Sequence, residues 1–511
     1  MTRDRALGLG VAALALAWAL PFVFCGRAFI DELILASHAR RVLEGEAMYR
    51  DIFEFLVPLS SWLPALLFKL TGPSLAAMRV LAALAVAITA GCLYHLARRL
   101  GAGRGWAAAA GLAVAGAVYV LEPGYTHHWL AKPFVWGAML AGACALPAEG
   151  AGAWLAAGGA AGLACLTIQS DGLAVVGALG LWSLLLGGGA RVIGRRVGLL
   201  VAGFALPVGL AVAVLAWQGA LGAMAYDTWT WTLQHYKTRG GINDVRYMTD
   251  LGPLLATTTA GFKLWRWYVQ AFVLAVVFLL PPFVAAAAAA LAAGRLATWR
   301  ATDEDRRFAL VLLLAGALAA ALLRGRADEV HVALALPAPL LIGCVLASRA
   351  RGLLPEPQHA ALRALPLALL VAFVLAANAL RLDAWRDDPL ARPGAGPDAH
   401  LADDPVVRYL RAHGHAGDRL AVYTLGAQYY FYGLPPATRF THMLDPKEGY
   451  YDAHDLATFW HEVEASRARF LVFAPADPAV VPVPPVAGYK LVEAIAIQYL
   501  GKPARAYVFE R

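Results

Sequence analysis

The chain has 511 residues, 60% of them hydrophobic and only 15% charged, and its mean hydropathy of +0.59 exceeds that of water-soluble globular proteins. That balance excludes a soluble enzyme and places the chain in a bilayer. The formal charge of +8 would suit nucleic acid, but the arginines are distributed loop by loop along the chain, which excludes that partner.

Apolar runs that approach the length needed for a hydrocarbon layer of about 30 Å recur along the chain. Eleven are predicted as transmembrane helices: 7–25, 75–97, 105–121, 132–147, 152–167, 171–188, 197–217, 268–292, 308–323, 329–348 and 361–380. The first begins with basic Arg3 and Arg5, as a signal peptide does, but no small-x-small pattern follows Cys25, so it reads as a retained helix. Arginines fill alternate loops: Arg98, Arg99 and Arg104; Arg191, Arg195 and Arg196; Arg295, Arg300, Arg306 and Arg307; Arg349, Arg351 and Arg363. This positive-inside pattern predicts a cytoplasmic N-terminus and an outer C-terminus. The five cysteines, Cys25, Cys92, Cys144, Cys165 and Cys344, sit in or at the ends of apolar runs without metal-type spacing, and read as small hydrophobes.

Residues 26–74 form the first outer loop. It opens on two neighbouring acids, Asp31 and Glu32, followed by apolar positions at helical spacing from Leu33 to Leu43 with His38, Arg40 and Arg41 between them. That pattern predicts an interfacial helix ended by Gly45. The run Leu56–Leu70 carries Pro58 and Pro64 and is short for a span; making it cross would put every later arginine loop outside, so it lies on the surface. On a helix Asp31 and Glu32 project about 100° apart, so one acts while the other orients. The plainer alternative is an acidic pair favoured by the helix dipole.

Glu122 to Trp129 and then Lys132 fill the second outer loop, and Thr167 to Gly172 the third. Ser170 and Asp171 read as caps of the following helix. His127-His128 lacks the i, i+4 spacing of a helical metal pair. Residues 218–267 make a larger outer loop with Trp229, Trp231, His235, Tyr236, Lys237, Arg239, Arg246, Lys263 and Arg266, suited to an interface belt or to a lipid phosphate and its sugar. Arg324 and Arg326 lie on the outside against the topological rule, before His331. Residues 383–511 change to soluble character: helices at Val406–His413 and Leu456–Ala468 and strands at Arg419–Thr424 and Arg469–Phe473 predict a small α/β domain. The predicted division is 1–382 in the membrane and 383–511 outside it.

Glycosyl transfer from a lipid phosphate needs one base for the acceptor hydroxyl and cations for the leaving phosphate, but no general acid. The outer loops offer Asp31 as base, with Lys132, Arg324, Arg326 or the basic residues of 237–266 as phosphate partners; headgroup binding is the alternative role for the arginines. No phosphate-cradling GxxxxGK[ST], GxGxxG or GxSxG motif is present. Midplane charge is nearly absent, which weighs against a proton-coupled transporter. A transporter or flippase of lipid-linked saccharides, and a scaffold organised by the C-terminal domain, are the alternative classes.

Asp31-Glu32, the segment Val42–Asp51 with its Gly45-x-x-x-Tyr49-x-Asp51 spacing, and Pro58 together resemble the opening of bacterial GT-C glycosyltransferases. These are the polytopic enzymes related to protein O-mannosyltransferases and the lipid A aminoarabinose transferase. Leu163–Gly172 is similar to a segment ending in Gln and Gly in that family, with Ile168-Gln169 where a Lys-Gln pair is frequent. Arg326 through His331 to Pro337 resembles its late loop. The resemblance implies a GT-C fold of about eleven transmembrane helices with a small outer α/β domain, in a bacterial inner membrane. It implies an inverting hexosyl or pentosyl transfer from a polyprenyl-phosphate sugar to a lipid, glycan or protein hydroxyl. Asp31 would be the base with Glu32 beside it, and Tyr49, Lys132, Gln169, Asp171, Arg324, Arg326 and His331 would bind donor or substrate. No cofactor is implied, although a divalent ion held by Asp31, Glu32 and Glu122 stays open.

Overall fold

The computed structural model describes all residues except 1, 147–149, 237–243, 249–263, 298–301, 354–359, 444–450, 477–478 and 500–501. Each of the eleven apolar runs coincides with helical structure, the run 329–348 with two helices. In chain order these are α1 (Thr2–Ala19), α4 (Leu75–Arg99), α5 (Arg104–Ala113), α6 (His127–Ala145), α7 (Ala151–Cys165), α8 (Gln169–Leu185), α9 (Ala190–Trp217), α10 (Leu264–Ala297), α11 (Asp303–Arg324), the pair α12 (Glu329–Ala335) and α13 (Pro337–Leu353), and α14 (Ala360–Asp387). Between α1 and α4 lie α2 (Ile30–Leu43) and α3 (Leu59–Thr71).

Six of the described helices are long and apolar enough to cross a bilayer alone, and α12 with α13, bent by 46°, make a seventh if they form one span. The bend falls at Pro337, which cannot donate to the preceding turn and restricts Leu336. The chain is thus a multi-pass membrane protein in which α7 and several others are shorter than a full span. The run predicted on the surface is α3, only 13 residues long.

Two compact units emerge. The first comprises Met1–Phe22, Val80–Ala211 and Val245–Pro389; the second comprises Val23–Arg79, Val212–Asp244 and Leu390–Arg511. In the first, small residues let helix backbones touch. A Cβ on Gly158 of α7 would lie 2.1 Å from the Leu200 carbonyl oxygen of α9, and one on Gly203 would lie 2.2 Å from the Leu155 oxygen. Neither oxygen can swing aside as a side chain would. Gly158→Val is therefore expected to lower the thermal unfolding temperature of the solubilised protein, at a cost of about 1–3 kcal/mol. Gly177→Val, where no atom lies within 4 Å of the added Cβ, is the control that stays unchanged.

In the second unit, α2 has Asp31 and Glu32 in its first turn and Arg40 and Arg41 in its last, the charge order its dipole favours. It ends at Gly45, whose φ of +100° only glycine adopts without strain. The expected interfacial helix is instead mostly buried. His38 and Arg41, predicted on its polar side, are 2% and 3% exposed. Burial is tolerated because each is paired. His38 bonds Thr441 (2.6 Å) and lies 3.0 Å from Glu54, while Arg41 donates to Glu46 (2.6 Å) and to the carbonyls of Asp51 (2.6 Å) and Arg439 (3.2 Å).

Residues after 390 close back on this loop. The Asp398 carboxylate accepts from Leu75 N (2.9 Å), Ala76 N (3.1 Å) and Ser74 Oγ (2.7 Å), capping the start of α4. The sheet follows, with strands β1 (Leu420–Thr424), β2 (Phe470–Ala476), β3 (Lys490–Tyr499) and β4 (Lys502–Glu510) in the order β1-β2-β4-β3. β1 and β2 are parallel, joined across a helix at Ala453–Ser466 whose start is fixed by a reciprocal Asp452/Asp455 cap. β4 runs antiparallel between β2 and β3. The two predicted strands and both predicted helices are present; β3 and β4 were not foreseen.

Candidate active site

The acidic neighbours at the start of α2 have opposite surroundings. Asp31 is exposed, whereas Glu32 is 0% exposed and bonded through both oxygens to Arg79, Nε to Oε1 and Nη2 to Oε2, each at 2.8 Å. Arg79 is itself 2% exposed and also donates to the carbonyls of Cys25 and Arg27. One guanidinium thereby ties the segment that enters the loop to the first turn of α2, and its two parallel bonds to Glu32 are a bidentate geometry that only arginine supplies. With Glu32 held, the helix rotation that turns Asp31 outward is fixed as well.

Farther along the same unit a buried polar chain runs from α2 to the C-terminal segment. His38 faces Glu54 (3.0 Å), and the Glu54 backbone N–H donates to Asp227 (3.3 Å). Asp227 pairs with Arg439 Nη2 (2.6 Å), which also donates to the Tyr49 carbonyl (3.0 Å). Tyr49 is fully buried with φ +69°, a left-handed conformation costly for a side chain of that size, and its hydroxyl donates to Leu56 O (2.9 Å).

Asp227 lies in a π-helical turn, Tyr226–Trp231, and is 0% exposed. Burial pushes its carboxyl up to about 7, against the pull of Arg439 and the Glu54 N–H. The fold therefore holds a proton there that the unfolded chain releases near pH 4. The stability gained is complete at acid pH and is lost as pH rises through 7. Asp227→Asn, which cannot ionise, is expected to lose less unfolding temperature than the wild type between pH 5 and pH 8; parallel slopes would contradict the assignment.

The first unit carries the other candidates. Lys132, 6% exposed, places Nζ 3.8 Å from Asp171 Oδ2. Gln169 is the first residue of α8 and Asp171 lies in its first turn. The helix is not capped by Ser170 or Asp171 as predicted: its N-cap is Ile168, which makes no side-chain cap bond, and Asp171 turns to Lys132 instead. At the start of α12, Asp328 accepts from the His331 backbone N–H (3.0 Å), bonds His331 Nδ1 (2.6 Å) and pairs with Arg326. Burial would raise the Asp328 carboxyl, but His331 and Arg326 outweigh it and hold it at about 2. The His331 ring meets His128 edge-on at 5.2 Å. Arg324 is exposed at the end of α11, and the carbonyl of Glu122 accepts from Trp129 Nε1 (2.9 Å).

Among the described residues no three His, Cys, Asp or Glu side chains gather as a metal site would require. Glu32 in particular does not suit a divalent ion, because Arg79 already stands where the cation would bind. Lys237, Arg239, Lys263 and Arg300 lie outside the described residues. Arg266 pairs with Asp383 (2.9 Å) and Asp387 (3.3 Å). Arg79, Glu54, Asp227, Asp328 and Arg439 were missed from the sequence. Only Arg79 gave a signal, as a charge inside the apolar run 75–97.

Residues 57–217 match the family model of dolichyl-phosphate-mannose-protein mannosyltransferases. No curated protein sequence matches the chain. Among solved structures, ArnT from Cupriavidus metallidurans bound to undecaprenyl phosphate superposes with a TM-score of 0.58 at 16% identity, covering 99% of this chain and 97% of that one. The mycobacterial arabinofuranosyltransferase AftD gives 0.54 at 16% identity over 99% of this chain and 40% of its own. The oligosaccharyltransferase AglB from Archaeoglobus fulgidus, in complex with an inhibitory peptide and a dolichol-phosphate, gives 0.50 at 11% identity over 91% and 69%.

Proposed function

We propose that this chain, which has the GT-C fold of those proteins, is an integral-membrane glycosyltransferase that moves a sugar from a polyprenyl-phosphate donor to a hydroxyl on the outer face of a bacterial inner membrane. The observation that carries the reading is an exposed Asp31 whose helix is locked by the buried Glu32–Arg79 pair. A base in that setting can meet an acceptor while its backbone stays fixed, which is the preorganisation general-base catalysis needs.

The reaction is an inverting displacement. Asp31 takes the proton of the acceptor hydroxyl, the acceptor oxygen bonds to the anomeric carbon, and the bond from that carbon to the phosphate oxygen breaks. The lipid phosphate leaves as an anion without needing a proton. Within the first unit, Lys132, Arg324 and Arg326 offer the cations that a leaving phosphate needs, with Asp171 beside Lys132 and His331 bonded to the Asp328 that pairs with Arg326. Glu32 acts through the helix, and Tyr49 anchors the loop that follows. No step is routed through a metal ion. The arginine loops support a cytoplasmic N-terminus and C-terminal residues on the outside. Lipid, glycan or protein is the acceptor, and hexose or pentose the sugar.

Mass spectrometry of lipid that copurifies with the protein tests this reading and identifies the sugar. A polyprenyl-phosphate sugar is expected. Transfer of that sugar by the purified protein distinguishes an enzyme from a flippase, which would bind the same lipid and transfer nothing.

A further inference from the structure

At the ends of the helices where the arginine-rich loops lie, at the other end of α6, α8 and α11 from Lys132, Asp171 and Arg324, the first unit holds a half-open pocket of about 340 Å³. Leu146 after α6, Leu186 after α8 and Val192 in the first turn of α9 give it an apolar wall. Arg196 of α9 and Arg306 of α11 face it from the polar side, with Asp303 the one acid in the lining.

The two arginines are held differently. Arg196, 7% exposed, donates to the Gly187 (2.7 Å) and Ser183 (3.4 Å) carbonyls at the end of α8, which sets its charge against the cavity wall. Arg306 is half exposed and lies 3.6 Å from Asp303, a solvent-screened pair from which it can turn to a stronger anion. Arg191 and Arg195, both exposed, add charge on the same helix end. The rim passes through Gly187 and Gly188 at φ +69° and +108°; a Cβ on Gly188 would meet Val192 Cγ1 at 3.3 Å and narrow the opening.

We propose that this cavity binds an anionic phospholipid, its phosphate between Arg196 and Arg306 and its first acyl carbons on Leu146, Leu186 and Val192. The volume is in the range of ligand pockets, which begin near 300 Å³. Basic pockets between membrane helices on the cytoplasmic side recognise such head groups. A lipid's first acyl carbons would cover Leu146, Leu186 and Val192, which a free anion would leave uncovered. The inference stands apart from the catalytic reading and depends only on the cavity.

The test uses the purified full-length protein, stripped of lipid in detergent and then supplied with phosphatidylglycerol, phosphatidylcholine or inorganic phosphate. Native mass spectrometry counts retained lipid, and thermal unfolding reports stabilisation. Phosphatidylglycerol is expected to be retained and to raise the unfolding temperature, with retention falling about fivefold or more in Arg306→Gln, which removes a cation, and in Val192→Trp, which fills the cavity. Folding of each variant is checked by its unfolding temperature without lipid. Equal retention of phosphatidylcholine, or unchanged phosphatidylglycerol retention in both folded variants, overturns the proposal. Stabilisation by inorganic phosphate equal to that by phosphatidylglycerol, and lost in Arg306→Gln, assigns the site to a free anion and overturns it too.

Discussion

Asp31→Asn is expected to reduce sugar transfer by about 10²–10⁴-fold while leaving the thermal unfolding temperature nearly unchanged. The side chain is exposed in the first turn of α2, so its replacement by an isosteric amide opens no cavity. What the amide lacks is a basic oxygen to accept the acceptor's proton. The dipole contribution lost with the negative charge is about 0.3–1 kcal/mol, too little to unfold the unit. The loss should appear in kcat, with donor binding retained, because the carboxylate is needed once the acceptor oxygen begins to form its new bond. The measurement is transfer of the sugar found on the copurifying lipid, by wild-type and variant proteins matched for unfolding temperature. A folded Asp31→Asn protein with full activity would remove Asp31 from the mechanism.

Hydrophobic run length made the multi-pass membrane architecture legible but not the count of eleven spans, since among the described helices six are long and apolar enough alone and a seventh only as the bent pair. The polar positions of α2 were misread for a physical reason. Spacing shows that His38 and Arg41 interrupt an apolar stripe, but whether such residues face water or a partner depends on groups distant in sequence. Here Glu54, Thr441 and the Arg439 carbonyl satisfy them. The same limit hid the site's supports: Glu32 and Arg79 are 47 residues apart, and Asp227 and Arg439 are 212 apart. Strands β3 and β4 escaped notice because β3 is an edge strand whose first residues, Leu491 and Val492, are exposed, so inward and outward positions do not alternate cleanly. Pro503, the second residue of β4, further disguised it, because proline is a poor strand former. The acidic pair itself was legible, and its adjacency already implied two surroundings; that Glu32 was the buried member was not.

Arg79→Met should give the largest loss of stability. It removes the partner of a carboxylate that is 0% exposed and leaves the carbonyls of Cys25 and Arg27 without the donor that joined them. Breaking a buried ion pair from one side costs about 3–5 kcal/mol, because the remaining charge keeps its desolvation penalty without compensation. Replacing both partners by apolar residues of similar size avoids that penalty and is commonly neutral or stabilising. The double variant Glu32→Leu/Arg79→Met should therefore unfold at a temperature closer to the wild type than Arg79→Met does. Its activity is expected to behave differently. Hydrocarbon can refill the space but cannot reproduce two directed bonds between Arg79 and Glu32 and two to the carbonyls of Cys25 and Arg27, so the first turn of α2 gains freedom and Asp31 with it. Stability recovers while kcat stays at least about tenfold low, in keeping with the sensitivity of catalysis to small misplacements. Full recovery of both would show that the pair serves only the fold, and that the orientation of Asp31 is set elsewhere.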